Sequence, residues 1–264
     1  MHSDLNIALL PMQIIWGMKN LNMDSLREAI LRIHPATDLL ILPETFSTGF
    51  PSGMDIGMVR SMAEPCDGET MRSLRELSSA HNVAICGSVI AEDSGELFNR
   101  AFFVEPSGET TFADKRHLFT MAGEHHVFSP GTRRLTVRYR GWNISMVICY
   151  DLRFPVWCRN TGSGYDLLIV VANWPQVRIN AWKRLIPARA IENLAYVAAV
   201  DCRGTDSKGF VYDGSSSVVD FKGDEISVPD HIDNIIYASL SKERLDAFRE
   251  KFPAHLDADT FTII

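Results

Sequence analysis

The sequence predicts an α/β fold in which two packed mixed β-sheets carry helices on their outer faces, a four-layer α-β-β-α sandwich. Two observations predict this class. Apolar strand patterns alternate with helical patterns towards both ends of the chain, whereas the middle reads as hairpins separated by glycine-containing turns. This mixture fits two mixed sheets with outer helices better than one all-parallel sheet.

The first third of the chain alternates strands with helices. Residues 5–10 and 38–42 are short apolar strands, each followed by a proline. Residues 22–34 and 69–80 carry apolar side chains at helical spacing, and residues 83–90 form a further strand. The order β-α-β-α-β is therefore expected here.

Turns around Gly95, Gly108 and Gly141 divide the middle of the chain into β-rich runs. The strands are predicted at residues 97–105, 110–115, 134–139 and 143–149. The remaining elements are a strand at 166–172, a helix at 179–193, strands at 195–202, 209–220 and 235–240, and a helix from Ser241 to Lys251.

The composition is that of an ordinary globular protein. Of 264 residues, 46% are hydrophobic and 22% are charged, and no linker, repeat or low-complexity tract divides the chain. We therefore expect one domain, 1–264, with a C-terminal tail at about 241–264 that contributes to subunit packing. The net charge of −7 argues against binding nucleic acid through bulk electrostatics.

The sequence also argues against a membrane or secreted location. No apolar run approaches the ~20 residues that span a bilayer, and the N-terminal residues lack a secretory signal pattern, so we expect a cytoplasmic protein. The five cysteines are irregularly spaced, which predicts neither a disulfide framework nor a four-thiolate zinc site. We expect no bound metal.

Cys149 stands at the end of an apolar strand and is followed at once by polar residues and a helix pattern. A strand-to-helix turn can hold a nucleophile above a sheet edge. A helix N-terminus there would lower the pKa of the thiol. The alternative is a buried cysteine that packs as a small apolar residue. That alternative is our interpretation of the other four, Cys66, Cys86, Cys158 and Cys202.

Two further strand ends carry charged residues. Glu44 follows an apolar strand, where partial burial would suit a general base. Lys115 ends a hairpin strand, and a lysine can place a positive charge beside a developing oxyanion. Taken alone, each residue favours the plainer interpretation, Glu44 as a capping or salt-bridging carboxylate and Lys115 as a solvated surface cation.

Three segments together are more specific than any of these residues alone. Residues 43–50, 114–118 and 148–155 resemble, in order and spacing, the three signature blocks of the nitrilase (carbon–nitrogen hydrolase) superfamily. Residues 123–131, 172–175 and 188–193 match further. The run from Cys149 to Trp157 and the tail at 249–259 are similar to the bacterial ω-amidase branch.

The resemblance implies a Glu44, Lys115 and Cys149 triad. Cys149 would attack an amide carbon, Lys115 and the backbone N–H of Tyr150 would stabilise the oxyanion, and Glu44 would act as the base. Glu124 matches a second family glutamate that orients the lysine or the substrate amide. No step of this chemistry needs a metal or an organic cofactor.

The same branch implies a small ω-amido carboxylic acid substrate of the 2-oxoglutaramate or 2-oxosuccinamate type. Rival substrates are an N-carbamoyl amino acid and deaminated glutathione, and a catalytically silent scaffold is the remaining alternative. The substrate-binding candidates are Tyr150, Arg153, Asn173 and Trp174. Arg153, four residues after Cys149, is our choice to bind the substrate carboxylate, with Arg178 and Arg189 as competing donors.

Three histidines and an apolar tail remain. His117, His125 and His126 lie in no context that resembles a Cys–His protease or a zinc site, so we interpret them as supporting or surface residues. The resemblance also implies at least a homodimer. The apolar residues without an obvious internal partner are Phe154, Val156, Trp157, Phe252, Phe261, Ile263 and Ile264.

Overall fold

The computed structural model describes residues 4–51, 53, 55–206, 208–230 and 233–263. The first half contains β1 Leu5–Leu9, α1 Lys19–Ile30, β2 Leu39–Ile41, α2 Ile56–Met62, α3 Glu69–His81, β3 Ala84–Asp93, β4 Glu96–Val104 and β5 Thr110–Asp114. The second half contains β6 Leu135–Tyr139, β7 Trp142–Ile148, α4 Pro155–Cys158, β8 Leu167–Ala172, α5 Ile179–Asn193, β9 Tyr196–Asp201, β10 Arg203–Thr205, β11 Val211–Asp213, β12 Ser217–Val219, β13 Val228–Pro229, β14 Ile236–Leu240 and α6 Lys242–Lys251.

The strands form two large mixed sheets. The first has the order β13-β14-β1-β2-β3-β4-β5, and the second has the order β12-β9-β8-β7-β6. Neighbours are parallel from β1 to β3 and from β7 to β9, and antiparallel elsewhere in both sheets. Each sheet thus has a parallel centre, whose crossovers carry helices, and antiparallel flanks, among which β3–β4 and β6–β7 are joined by short turns.

The two sheets pack face to face because strand residues alternate between their faces. Ile7 and Leu9 of the first sheet share one buried core with Ile169 and Val171 of the second, whereas Val170 points to the opposite face. Helices α1 and α3 cover the outer face of the first sheet, and α4 and α5 cover that of the second. The predicted four-layer α-β-β-α sandwich is confirmed.

Some predicted elements need correction. The strand predicted at residues 209–220 is two short strands, β11 and β12, because Gly214 between them takes a φ of +73°, which breaks the extended chain. Helix α1 begins and ends earlier than predicted, at Lys19 and Ile30. Helix α2 and the strands β10 and β13 were not predicted, since they are too short to show a period.

The helix predicted directly after Cys149 is also different. A five-residue 3₁₀ helix, Cys149–Arg153, comes first, and α4 starts separately at Pro155. Proline disfavours the helical conformation of the residue before it, and Phe154 is accordingly extended with φ −107° and ψ 96°. Cys149 therefore stands at a short, tight turn rather than at the head of a long helix.

The strand ends determine where polar groups meet. Glu44 lies beyond β2, Lys115 follows β5, Cys149 follows β7 and Asn173 follows β8. Because the sheets are stacked, residues from both can converge at one end of the sandwich.

None of the helices in the described ranges is long and apolar enough to cross a membrane. The single domain expected from the sequence stays a prediction.

Candidate active site

The turn at Cys149 has an unusual backbone that a neighbouring carboxylate supports. Cys149 has a φ of +44°, which is uncommon for a residue with a side chain and recurs at active sites. The carboxylate of Asp151 accepts the N–H of Ile148 at 3.2 Å and the N–H of His117 at 2.9 Å. Its Oδ1 also lies 2.8 Å from Nδ1 of His117. Asp151 thus ties the cysteine turn to the segment after β5.

Lys115 is the most buried cation of this region, with 1% of its surface exposed. Its Nζ donates to Glu44 Oε1 at 2.9 Å and to both carboxylate oxygens of Glu124 at 2.9 Å. Burial acts to lower the pKa of Lys115, but the charges of Glu124 and Glu44 outweigh it and raise that pKa. The side chain therefore holds a fixed positive charge.

Glu44 is a buried carboxylate with several donors. Its Oε1 accepts Asn99 Nδ2 at 2.8 Å as well as Lys115, and its Oε2 accepts the backbone N–H of Asn173 at 2.9 Å. The side chain of Asn173 donates to the carbonyl of Glu44 at 2.9 Å. These contacts fix the carboxylate in one orientation beside Cys149, which is the geometry a general base requires.

The thiol of Cys149 lies near Glu44 and donates to the backbone carbonyl of Asn173 at 3.9 Å, and its pKa is raised. The main cause is removal from water, to which the negative charge of Glu44 adds, while Lys115 opposes the shift. The lowered pKa expected from a helix N-terminus is therefore wrong, because the five-residue 3₁₀ turn does not outweigh burial beside carboxylates. A protonated thiol needs a base at hand, and Glu44 is in that position.

Burial also raises the pKa of Glu124, with Lys115 opposing and Glu44 adding to the shift. Glu124 accepts the backbone N–H of Phe119 through Oε2. The carboxyl group thus anchors both the lysine and the loop that follows it.

A cavity of about 430 Å³ opens over these groups. Seven of the eight residues predicted from the sequence line it, and Glu124 joins the group through Lys115. The seven are Glu44, Lys115, Cys149, Tyr150, Arg153, Asn173 and Trp174.

The four predicted binding residues differ in what they offer. Tyr150 lies in the first turn of the 3₁₀ helix, where a backbone N–H has no carbonyl partner within the helix. The guanidinium of Arg153 lies 4.8 Å from the ring centroid of Trp174. The amide nitrogen of Asn173 is engaged with Glu44 and Thr45, so Asn173 acts first as a positioning residue.

The remaining histidines and cysteines agree with their interpretation, with one exception. His125 and His126 are exposed neighbours whose ring centroids lie 3.8 Å apart. Cys86, Cys158 and Cys202 are buried. Cys66 is partly exposed, which corrects its interpretation as a buried apolar residue, and its sulfur accepts from Arg100 at 2.9 Å.

Asp201 is a site residue that the sequence analysis missed. It is fully buried at the end of β9, and its Oδ1 accepts the N–H of Trp174 at 2.7 Å, while Oδ2 is buried without a hydrogen-bond partner. Burial raises its pKa well above the usual range; the Trp174 N–H opposes this, and the charges of Asp213 and Glu44 add to it. The same strand-end pattern that identified Glu44 could have found it.

We predict that Asp201→Asn stabilises the protein relative to the wild type as the pH rises. The native Asp201 keeps a proton that the unfolded chain releases above about pH 4, so wild-type stability falls through that window. The amide cannot titrate and keeps the acceptor oxygen for Trp174. The difference in unfolding free energy should grow in favour of the variant between about pH 5 and pH 7, by at most about 1.4 kcal/mol per pH unit, the limit for one proton.

Urea denaturation at both pH values measures this difference. Asp24→Asn, at an exposed carboxylate, is the matched control and should show no such trend. A difference for Asp201→Asn that is constant with pH would contradict a protonated Asp201.

Comparison with known proteins places this arrangement in a family. Residues 6–250 match the family model of the carbon–nitrogen hydrolases. The chain is 40% identical to the omega-amidase YafV of Escherichia coli K12, covering 98% of both chains. It is 30% identical to the 2-oxoglutaramate amidase of Bacillus subtilis, covering 95% of this chain and 96% of that one.

Solved structures agree. XC1258 from Xanthomonas campestris, described as a CN-hydrolase superfamily protein with an arsenic adduct in its active site, superposes with a TM-score of 0.93 at 38% identity, covering 99% of this chain and all of that one. Nit3 of Saccharomyces cerevisiae has the same fold, with a TM-score of 0.81 at 22% identity over 95% of this chain and 94% of that one. The chain belongs to the carbon–nitrogen hydrolase family.

Proposed function

We propose that this protein hydrolyses the terminal amide of a small ω-amido carboxylic acid of the 2-oxoglutaramate or 2-oxosuccinamate type, releasing ammonia. The observation that carries the proposal is the convergence of Cys149, Glu44 and Lys115 on one cavity, where Lys115 is hydrogen-bonded to Glu44 and which the side chain of Arg153 also lines. The similarity to an omega-amidase and a 2-oxoglutaramate amidase supports the substrate class.

The first half of the reaction forms a thioester. Glu44 takes the thiol proton as Cys149 attacks the amide carbon, which compensates for the raised pKa of the thiol. The negative charge that develops on the amide oxygen is stabilised by the ammonium of Lys115 and the backbone N–H of Tyr150. Glu44 then delivers its proton to the leaving nitrogen, and ammonia departs.

The second half reverses the roles. Glu44 removes a proton from water, the hydroxide attacks the thioester carbon, and the same two donors stabilise the second oxyanion. Collapse of this intermediate returns the proton to the Cys149 sulfur and releases the acid. Glu124 keeps Lys115 in place throughout, and the expected independence from metals and cofactors stays a prediction.

Cys149→Ala should abolish ammonia release from 2-oxoglutaramate while leaving the thermal midpoint nearly unchanged, because it removes the nucleophile and little packing. Coupled detection of ammonia measures the rate. Cys66→Ala, at the other partly exposed cysteine, is the matched control and should retain activity. Substantial turnover by Cys149→Ala would refute the assignment.

Arg153→Met should lower kcat/KM strongly on an ω-amide acid and little on its methyl ester, since only the acid offers an anion to a guanidinium. On the acid, the kcat/KM of Arg153→Lys should lie between those of the wild type and Arg153→Met, because an ammonium keeps the charge but not the paired hydrogen bonds. Equal losses on acid and ester would mean that Arg153 only braces the turn after Cys149.

Measuring activity on a panel of substrates distinguishes the proposed substrate class from its rivals. An N-carbamoyl amino acid and deaminated glutathione would use the same triad, so a panel of these with small ω-amides decides between them. Ammonia release from none of the panel would favour the silent scaffold.

We also propose that the protein is cytoplasmic and forms at least a homodimer through the region of α4 and the C-terminal tail. Val156 and Phe252 are each 56% exposed, and Phe261 and Ile263 are about 40% exposed, as an apolar interface requires.

Two of the residues expected to lack an internal partner have one in the structure. Phe154 stacks on His117 at 3.7 Å, and Trp157 is buried beneath two guanidinium groups. Ile264 lies outside the described residues.

Light scattering at micromolar concentration should give the mass of a dimer or a larger assembly. Val156→Asp should shift the mass towards the monomer because it buries a charge in the interface. A monomeric wild type would overturn the proposal.

A further inference from the structure

The cavity above Cys149 contains a second guanidinium, that of Arg178. Both arginines are organised by Trp174. The guanidinium of Arg153 lies over the indole ring, and the indole N–H donates to the backbone carbonyl of Arg178 at 2.9 Å. The guanidinium of Arg178 lies 5.1 Å from the ring centroid of Phe119. The two cations are therefore held on the wall of one small cavity.

Neither guanidinium has a carboxylate partner at ion-pair distance within the described part of the chain. Arg189, the third candidate named from the sequence, differs: it donates to the carbonyl of Leu152 and to Glu192, and it is buried. Arg189 braces the turn after Cys149, whereas Arg153 and Arg178 present their charge to the cavity.

The other charged groups around the cavity make contacts of their own. Lys115 is paired with both Glu44 and Glu124. Asp206 faces the cavity, but its oxygens already accept two backbone N–H groups and the hydroxyl of Tyr212. Lys208 adds a further, exposed cation. Within the described residues, Arg153, Arg178 and the exposed Lys208 are thus the cavity cations that have no carboxylate at ion-pair distance, in a chain whose net charge is −7.

We propose that Arg178 is a specificity-determining residue that rejects a substrate with an ammonium group at carbon 2 and favours one with a carbonyl oxygen there. The inference rests on the proposed function, in which Arg153 binds the substrate carboxylate. Carbon 2 carries that carboxylate, so a group attached to it lies among the same cations. A ketone oxygen accepts a hydrogen bond from Arg178, whereas an ammonium meets a like charge in a partly desolvated site.

Three substrates of equal length isolate this contribution: glutaramate with a methylene at carbon 2, 2-oxoglutaramate with a carbonyl, and L-glutamine with an ammonium. The wild type should hydrolyse both acids without an ammonium, 2-oxoglutaramate best, and L-glutamine far more slowly. Arg178→Met should narrow the kcat/KM ratio of 2-oxoglutaramate to L-glutamine by about 10-fold or more, which is the effect of removing one unit charge about 10 Å away in a partly desolvated site. Arg178→Lys should keep the rejection of L-glutamine, since it keeps the charge.

Two control variants remove a positive charge elsewhere. Arg184→Met makes the same substitution at an exposed position of α5, and Lys208→Met removes the exposed cation at the cavity. Both variants should keep the kcat/KM ratio of 2-oxoglutaramate to L-glutamine within about threefold of the wild-type value, because solvent screens exposed charges.

The outcomes are distinguishable. A wild type that hydrolyses none of the three compounds contradicts the proposed function itself. A wild type that hydrolyses glutaramate but accepts L-glutamine equally well overturns only the role of Arg178. The role of Arg178 is also overturned if Arg178→Met leaves the kcat/KM ratio of 2-oxoglutaramate to L-glutamine unchanged. It is overturned as well if Lys208→Met changes that ratio as much as Arg178→Met does.

Discussion

The site depends on one buried ammonium held between two carboxylates. Lys115 directly follows β5, the edge strand of the first sheet, and is enclosed with Glu44 and Glu124, which would repel each other without it. Removing one partner from such a buried group typically costs about 3–5 kcal/mol, so the cluster persists only as a whole. This constraint fixes Glu44 near the thiol of Cys149 and keeps the Lys115 ammonium on the wall of the same cavity.

The packing of the two sheets brings residues from the strand ends of both sheets together in this site. Glu44 and Lys115 follow strands of the first sheet, whereas Cys149 and Asn173 follow strands of the second. Their relative positions depend on the shared core between the sheets and on direct ties across them. The contact of Asp151 with the segment after Lys115 is one such tie, and the contacts of Asn173 with Glu44 are another.

Much of this was predictable because the relevant signals are local. An apolar strand followed at once by a polar residue predicted Glu44 and Cys149, and the ordered blocks gave the family and the fold. The features that the sequence did not predict depend on contacts between residues that are distant in sequence. The raised pKa of Cys149 follows from Glu44 and burial, which no helix-terminus argument contains. The contact of the Asp201 carboxyl with the backbone N–H of Trp174 follows from the pairing of β9 with β8, although the strand-end position of Asp201 is visible in the sequence. The choice between Arg153, Arg178 and Arg189 required knowing which side chain already has partners.

The most direct test of this account is the kinetics of Lys115→Ala on 2-oxoglutaramate, with circular dichroism to establish that the variant is folded. If the ammonium stabilises the oxyanion, kcat should fall by at least ~100-fold while KM changes little. A folded variant with near-normal kcat, or one in which only KM rises, would show that Lys115 binds substrate without taking part in the chemistry, and would contradict the account.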